Sequence, residues 1–184
     1  GGRLIVVYRL GLWGDIDLLY KHYRRDYATR VQYTAGGRPM IGTELMPRQR
    51  VAEGRFDVKF GPESELRIET KGDYVENRGN GAGYFDYDRA RVGLEFTWTP
   101  GPWRFRLLGS ITRYEYLLQT VWIEDASQLE TRMKDDLYVQ FRIERRLSEG
   151  LWWHLDCEGE QSTTNDFYGS YDSTAAYSGM SWTF

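Results

Sequence analysis

The last ten residues constrain the fold of this chain more than any other stretch. Residues 175–184 follow a period of two, which places Ala176, Ser178, Met180, Trp182 and Phe184 on one face of a strand. The chain then stops on a large aromatic side chain, whereas the last residues of a soluble domain usually fray into water. We therefore expect a terminal β-strand that is not the frayed end of an ordinary soluble domain.

Composition limits the class of protein. A chain of 184 residues fits one domain, 1–184, and its 24 basic and 27 acidic side chains leave a net charge of −3. This balance gives no general drive toward nucleic acid. The 14 Tyr and 7 Trp residues are numerous, and both types suit a boundary between lipid and water. Cys157 is the single cysteine, which excludes an intramolecular disulfide.

Alternation of apolar and polar residues predicts most of the remaining strands. It is clearest over 91–98, 103–112, 136–144 and 151–160, and it recurs at 53–60 and 65–71. No run of about 18 apolar residues occurs, so no transmembrane helix is expected.

The first 50 residues are more ambiguous. Residues 3–13 are apolar enough for a strand, and 23–33 reads as another. Residues 15–27 are also compatible with a short amphipathic helix, since Ile16, Leu19, Tyr20 and Tyr23 sit at helical spacing. The stretch 1–22 therefore holds either an extra strand or a short helix, and 38–49 is predicted to be a long loop.

The connections alternate in length. Tight turns at 61–64, 99–102 and 147–150 carry Gly, Pro or Ser. Between them come longer loops, predicted at 38–49, 76–83, 119–131 and 162–167. Aromatic residues cluster near both strand ends: Trp98, Trp103 and Trp182 near the turns, and Tyr74, Tyr84, Tyr114, Tyr116 and Trp122 near the loops.

The terminal strand and this hairpin pattern resemble those of bacterial outer-membrane β-barrels. The resemblance implies an all-β, antiparallel transmembrane β-barrel of about 8–10 strands, with short periplasmic turns and longer extracellular loops. It implies that Trp182 and Phe184 belong to a signal read by the barrel assembly machinery. It also implies a place in the bacterial outer membrane, in contact with lipid and lipopolysaccharide.

Strand number is left open by the sequence. Eight strands are predicted from Tyr23 to Phe184, and 3–13 would be a ninth, whereas single-chain bacterial barrels have even counts. Residues 3–13 therefore either do not span, or pair with a strand that precedes this chain. The chain opens Gly-Gly-Arg without a signal peptide, so we expect either a removed signal or an upstream domain or periplasmic partner.

The polar faces of the strands carry mixed charges. In a barrel these would form a lumenal charge network in which opposite charges on neighbouring strands pair. An interior bounded by about eight strands is filled by side chains, and more strands would leave a narrow ion path. The predicted network consists of Glu53, Arg55, Asp57, Lys59, Arg67, Glu69, Arg142, Glu144, His154, Asp156 and Glu158.

One triplet in this set could carry chemistry. His154, Asp156 and Glu158 share a strand face, and a His with two carboxylates can bind a divalent metal or act as a general base. With only two His in the chain, we favour an interior His154 hydrogen-bonded to a carboxylate. No Gly-x-Ser-x-Gly elbow, phosphate loop or zinc spacing appears, so the sequence predicts no catalytic residue, cofactor or metal.

The expected function is therefore non-enzymatic: a membrane anchor or a porin-like channel. Two alternatives stay open. An outer-membrane lipid-modifying enzyme would need a lipid-facing Ser, His and acid. A soluble ligand-binding β-barrel would keep its inner face apolar and its outer face polar.

Overall fold

The computed structural model describes residues 2–9, 14–24, 30–34, 36–45, 47–60, 65–122, 129–166 and 169–183, with the backbone alone for 57–60. Within these ranges the chain forms eleven β-strands and no helix, so none of the described residues supplies a helix able to cross a membrane. The strands are β1 (Gly2–Arg9), β2 (Gly14–Arg24), β3 (Gln32–Tyr33), β4 (Pro39–Met40), β5 (Arg48–Phe60), β6 (Leu66–Arg78), β7 (Tyr87–Trp98), β8 (Trp103–Trp122), β9 (Leu129–Ser148), β10 (Leu151–Thr164) and β11 (Tyr171–Trp182).

Nine of these strands form one antiparallel sheet in the order β1, β2, β5, β6, β7, β8, β9, β10, β11. Each strand pairs with the one that follows it in the chain, apart from the short β3–β4 hairpin inserted between β2 and β5. The all-β antiparallel prediction is confirmed. The described strands contact only their neighbours in the sheet, so no strand packs on either face.

The sheet is open, whereas a closed barrel was expected. β1 and β11 form its two edges, and no residue of one described strand contacts the other. Each edge leaves a row of backbone N–H and C=O groups without a sheet partner. In this structure the nine strands therefore do not close into a barrel.

The second strand is shifted from its predicted position. β2 spans Gly14–Arg24 rather than 23–33, and residues 25–29 lie outside the described part of the chain. The helical alternative for 15–27 is wrong over 15–24, because β2 pairs along its length with both β1 and β5. Ile16 and Leu19, which share a face in a helix, lie on opposite faces of this strand.

All four predicted loops contain more strand than expected, since β6 continues to Arg78 and β10 to Thr164. The segment 38–49 includes β4, and β5 already begins at Arg48. β8 continues through Trp122 and β9 starts at Leu129, so both strands are 20 residues long and extend into the predicted loop 119–131. Residues 123–128 lie outside the described part.

Two tight turns depend on glycine. Gly101 (φ 59°) closes the β7–β8 turn and Gly150 (φ 74°) closes the β9–β10 turn, both in the left-handed region that other residues avoid. The predicted turn at 61–64 lies outside the described residues. We call the end of the sheet with the turns 99–102 and 147–150 its turn side, and the opposite end its loop side.

Gly150→Ala is expected to lower the free energy of unfolding by about 2 kcal/mol, because left-handed backbone disfavours Ala and the new Cβ meets a backbone oxygen. That Cβ would lie 2.5 Å from the Thr183 carbonyl oxygen. Gly101→Ala is the control, since nothing lies within 4 Å of its Cβ and only the backbone penalty of about 1 kcal/mol remains. Chemical denaturation of both variants measures the difference, and equal losses would contradict the steric argument.

The two faces of the sheet have opposite polarity. One face, the apolar face, presents side chains that are 42–62% exposed, namely Val6, Leu18, Val92, Leu94, Leu107, Ile111, Leu137 and Val139. The other, the polar face, carries ion-paired charged residues on each strand from β5 to β10. Its least exposed side chains are at most 9% exposed: Val51, Val75, Asn77, Ser110, Thr112, Asp156 and Ser162. Asn77 contacts the segment between β6 and β7, where the Phe85 carbonyl oxygen accepts its hydrogen bond. Ser110, Thr112, Asp156 and Ser162 have no described strand over them, so their low exposure indicates that the sheet bends toward this face.

Candidate functional site

Ion pairs connect neighbouring strands on the polar face. On β5 and β6, Glu69 Oε2 lies 2.8 Å from Arg55 Nη2 and 3.0 Å from Arg67 Nη2. Lys71 Nζ lies 3.3 Å from Glu53 Oε1. Residues of alternating charge on adjacent antiparallel strands therefore neutralise each other locally.

A second group of charges joins β8, β9 and β10. Arg142 contacts Glu144 through Nη2 at 2.8 Å and Asp156 Oδ2 through Nη1 at 3.0 Å. The second contact is an ion pair without hydrogen-bond geometry. Gln140 Nε2 donates to Asp156 Oδ1 at 2.9 Å, and Arg104 Nη1 lies 3.1 Å from Glu144 Oε2.

Asp156 is the most buried charge of this group. Its side chain is 0% exposed, while that of Arg142 is 30% exposed. A buried carboxylate needs a compensating charge, because its transfer from water is costly. Arg142 supplies that charge and also contacts Glu144, which makes it the central cation of this part of the polar face.

Glu95 and Arg106 continue the ion pairs onto β7 and β8. Arg106 Nε and Nη2 donate to the two oxygens of Glu95 at 2.8 and 2.9 Å, a bidentate pair. The sequence analysis did not single out either residue as a site. Each is flanked in the sequence by apolar residues, and only the register, which sets Thr97 opposite Arg106, brings them together.

His154, Asp156 and Glu158 share the polar face as predicted, but their side chains do not converge on one point. Asp156 is occupied by Arg142 and Gln140, while Glu158 Oε2 accepts a hydrogen bond from Tyr138 at 3.1 Å. His154 Nδ1 is buried and has no hydrogen-bond partner, so the expected bond to a carboxylate is not found at this atom. Within the described ranges no cluster of three or more His, Cys, Asp or Glu could hold a metal ion.

Some predicted site residues can be placed only in part. Asp57 and Lys59 have Cα positions opposite Glu69 and Arg67, but their side chains lie outside the described part of the structure. Trp182 ends β11 on the apolar face, opposite Leu151, and is exposed. Phe184, the other half of the predicted assembly signal, lies outside the described residues.

Aromatic side chains border the apolar face at its turn side. Trp98 stacks on Phe105 with ring centroids 5.5 Å apart, and Trp103 stacks on the same ring at 6.0 Å. The Arg145 guanidinium lies 5.0 Å from the Trp103 ring centre. Arg and Trp together suit the polar boundary of an apolar layer.

The tyrosines predicted near the loops do not all lie on the same face of the sheet. Tyr114 and Tyr116 lie there, but on the polar face, where both rings contact Tyr87 at centroid distances of 5.6 and 5.9 Å. Tyr74 faces outward on the apolar face. The tyrosines of β8 therefore contact other polar-face residues rather than a surrounding medium.

Charged residues mark the loop-side limit of the apolar face. Arg113 Nε and Nη2 donate to the two Asp135 oxygens at 2.8 and 2.9 Å, and these hydrogen bonds hold the pKa of that carboxyl below its usual value. On β7 the apolar stretch from Ala90 through Trp98 measures roughly 27 Å at about 3.4 Å per residue. A tilted membrane-spanning strand needs about 9–11 residues, so this apolar band has a matching length.

Comparisons with protein-family models, with curated proteins and with solved structures each found no match.

Proposed function

We propose that this chain forms the wall of a β-barrel in the bacterial outer membrane, where it acts as a membrane anchor or a porin-like channel and not as an enzyme. The inverted polarity of the sheet carries the proposal. Its exposed face is apolar over a continuous band, and its buried side chains are largely polar. An apolar band of this kind is stable against lipid without a second layer of protein to cover it.

The distribution of charge argues against a soluble ligand-binding barrel. Such a barrel packs apolar side chains inside and presents polar ones to water. Here the face around which the sheet bends carries Arg55, Glu69, Arg142 and Asp156, and the opposite face leaves Leu94 and Ile111 exposed. Exposed apolar patches of this extent on a soluble protein would drive association.

The lipid-modifying alternative finds little support in the geometry. It would need Ser, His and an acid on the apolar face. His22 lies on the apolar face, but its register partners are Gly2 and Arg50 and not a Ser. His154 lies on the polar face, where Asp156 is held by Arg142. No observation favours a nucleophile near it, so the anchor or channel role is the better proposal.

The direction of the edge strands bears on closure. In a nine-stranded antiparallel meander the first and last strands run in the same direction, so direct pairing of β1 with β11 would be parallel. Closing the barrel with antiparallel pairs alone requires an odd number of additional strands. We propose that a further segment of the polypeptide or a partner chain supplies them, which would widen the lumen beyond one filled by side chains.

The proposed partners follow from this location. Outer-membrane lipid and lipopolysaccharide would surround the apolar face, and the barrel assembly machinery would read Trp182 and Phe184. An upstream domain or periplasmic partner would lie at the turn side. No nucleic acid is expected, given the net charge of −3.

Membrane fractionation followed by gel mobility in SDS tests the proposal. The chain, together with the segment or partner chain that supplies the additional strands, is expected in the outer-membrane fraction, with a band that migrates faster before boiling than after it. Single-channel conductance in planar bilayers then separates a channel from an anchor. A protein that stays soluble without detergent and shows no mobility shift would overturn the membrane role.

The same gel on residues 1–184 alone tests the additional strands. An open sheet is expected to give no heat-modifiable band by itself, because both edges remain unpaired. A compact heat-modifiable band from residues 1–184 would show that these nine strands close without help, and the strand-direction argument would then be wrong.

A further inference from the structure

Three arginines meet in one row on the apolar face at its loop side. Arg24 lies opposite Arg48, and Arg48 lies opposite Arg78, on the adjacent strands β2, β5 and β6. Adjacent strands are about 4.8 Å apart, so the three Cα atoms lie within roughly 10 Å. We call these residues the arginine row.

The three arginines differ in how far their charge is compensated, and Arg24 has an interaction of its own. Arg78 Nη2 pairs with Asp88 Oδ1 at 2.6 Å, and the neighbouring Arg50, 65% exposed, reaches Glu76 at 3.4 Å. The described residues show no ion pair for the exposed Arg48. Like charges directly opposite each other destabilise a sheet, so a bound anion would relieve the repulsion within the row.

An apolar groove of about 690 Å³ begins two register rows from the arginine row, with the row of His22, Arg50 and Glu76 between them. Tyr20, Ala52 and Tyr74 form its first register row, next to the row that holds Arg50. Gly54 and Gly72, which lie opposite each other, form part of its floor, because neither has a side chain to fill it. The groove opens on the apolar face and runs away from the charges.

We propose that this surface binds a phosphorylated membrane lipid, with its phosphate groups on the arginine row and the neighbouring Arg50, and an acyl chain in the groove. Guanidinium groups suit phosphate because they present several donors in a fixed plane. The charges and the groove are adjacent, which matches a molecule with an anionic head and apolar chains. This inference rests on the proposed function, which places the loop side in the outer leaflet.

Binding of diphosphorylated lipid A to the full polypeptide in a neutral detergent, followed by native mass spectrometry, tests the head-group contact. Dephosphorylated lipid A is the comparison probe and is expected to bind at least tenfold more weakly. The double variant Arg48→Gln/Arg50→Gln is expected to weaken binding of the phosphorylated probe about thirtyfold, as two basic contacts are removed. Arg113→Gln, an exposed arginine on the same face beside Asp135, is the control and should bind as the wild type does.

Gly54→Leu tests the groove. A Cβ at Gly54 meets only Leu18 Cδ2, at 3.6 Å, so a side chain is accommodated there and fills the groove. We expect binding of the acylated probe to fall about tenfold. Gly109→Leu is the matched control, because Gly109 also faces outward, its nearest neighbour is 4.0 Å away, and it lies outside the groove.

The outcomes separate this inference from the proposed function. The lipid site would be overturned if the two probes bound equally, or if neither Arg48→Gln/Arg50→Gln nor Gly54→Leu changed binding. A heat-modifiable band in the same samples would still support the barrel. Loss of that band in the wild type would overturn both. Each variant is run on the same gel, so a loss of binding counts for the site only where the band is retained.

Discussion

Leu94→Arg is expected to lower the free energy of unfolding by about 2–4 kcal/mol in lipid vesicles, which is the usual penalty for Arg at the middle of a membrane barrel. Leu94 lies midway between Ala90 and Trp98 on the apolar face and is 52% exposed. In water the same change at such an exposed position would alter stability by no more than about 0.5 kcal/mol. Denaturant titration of folding into vesicles measures the difference.

Met133→Arg is the matched control. Met133 lies on the same face of the sheet as Leu94, beyond Asp135 and outside the apolar band, and it is 47% exposed. The expected loss in the free energy of unfolding at that position is about 0–1 kcal/mol. A small and equal effect at Leu94 and Met133 would show that water, and not lipid, covers the apolar face. The membrane proposal would then fail.

Arg142→Met is expected to lower the free energy of unfolding by about 3 kcal/mol. The substitution leaves the fully buried Asp156 with Gln140 as its remaining described partner, and an uncompensated buried charge typically costs about 3–5 kcal/mol. We expect a loss of stability at the lower end of this range because the Arg142 side chain is itself 30% exposed, so the ion pair is partly in contact with its surroundings. Denaturant titration under the same conditions measures the loss.

The double variant Arg142→Met/Asp156→Asn separates lost charge compensation from lost packing. Asn keeps an oxygen for Gln140 but carries no charge, so most of the stability lost in Arg142→Met should return. Arg113→Met removes an exposed partner of Asp135 and should cost less than about 1 kcal/mol. A double variant as unstable as Arg142→Met would contradict the charge argument.

Local pattern predicted the C-terminal strands well and the N-terminal ones less well. From residue 91 onward the alternation is clear, and β7 to β10 each contain the stretch predicted from it, while β11 follows the predicted terminal strand as far as Trp182. In residues 15–24 the apolar positions satisfy both a helical and an extended period. Pairing of β2 with β1 and β5 selects the strand, and those partners lie at residues that no local window includes.

The candidate sites divide in the same way. A period of two is sufficient to predict a polar face that includes Arg55, Glu69, Arg142 and Asp156. The register between strands decides which of these residues meet. It brings Arg142 to Asp156 and Glu95 to Arg106, and it sets the three arginines in one row. A shift of one residue would separate each of these groups.

The sequence by itself determined that this chain is a series of antiparallel strands with one apolar and one polar face, because side-chain direction in a strand is a local property of alternation. Only the tertiary structure decided which face the sheet bends around, which charges meet, and that the nine-stranded sheet has two free edges. These features depend on hydrogen-bond register and on twist summed over all nine strands, and neither quantity is contained in any single strand.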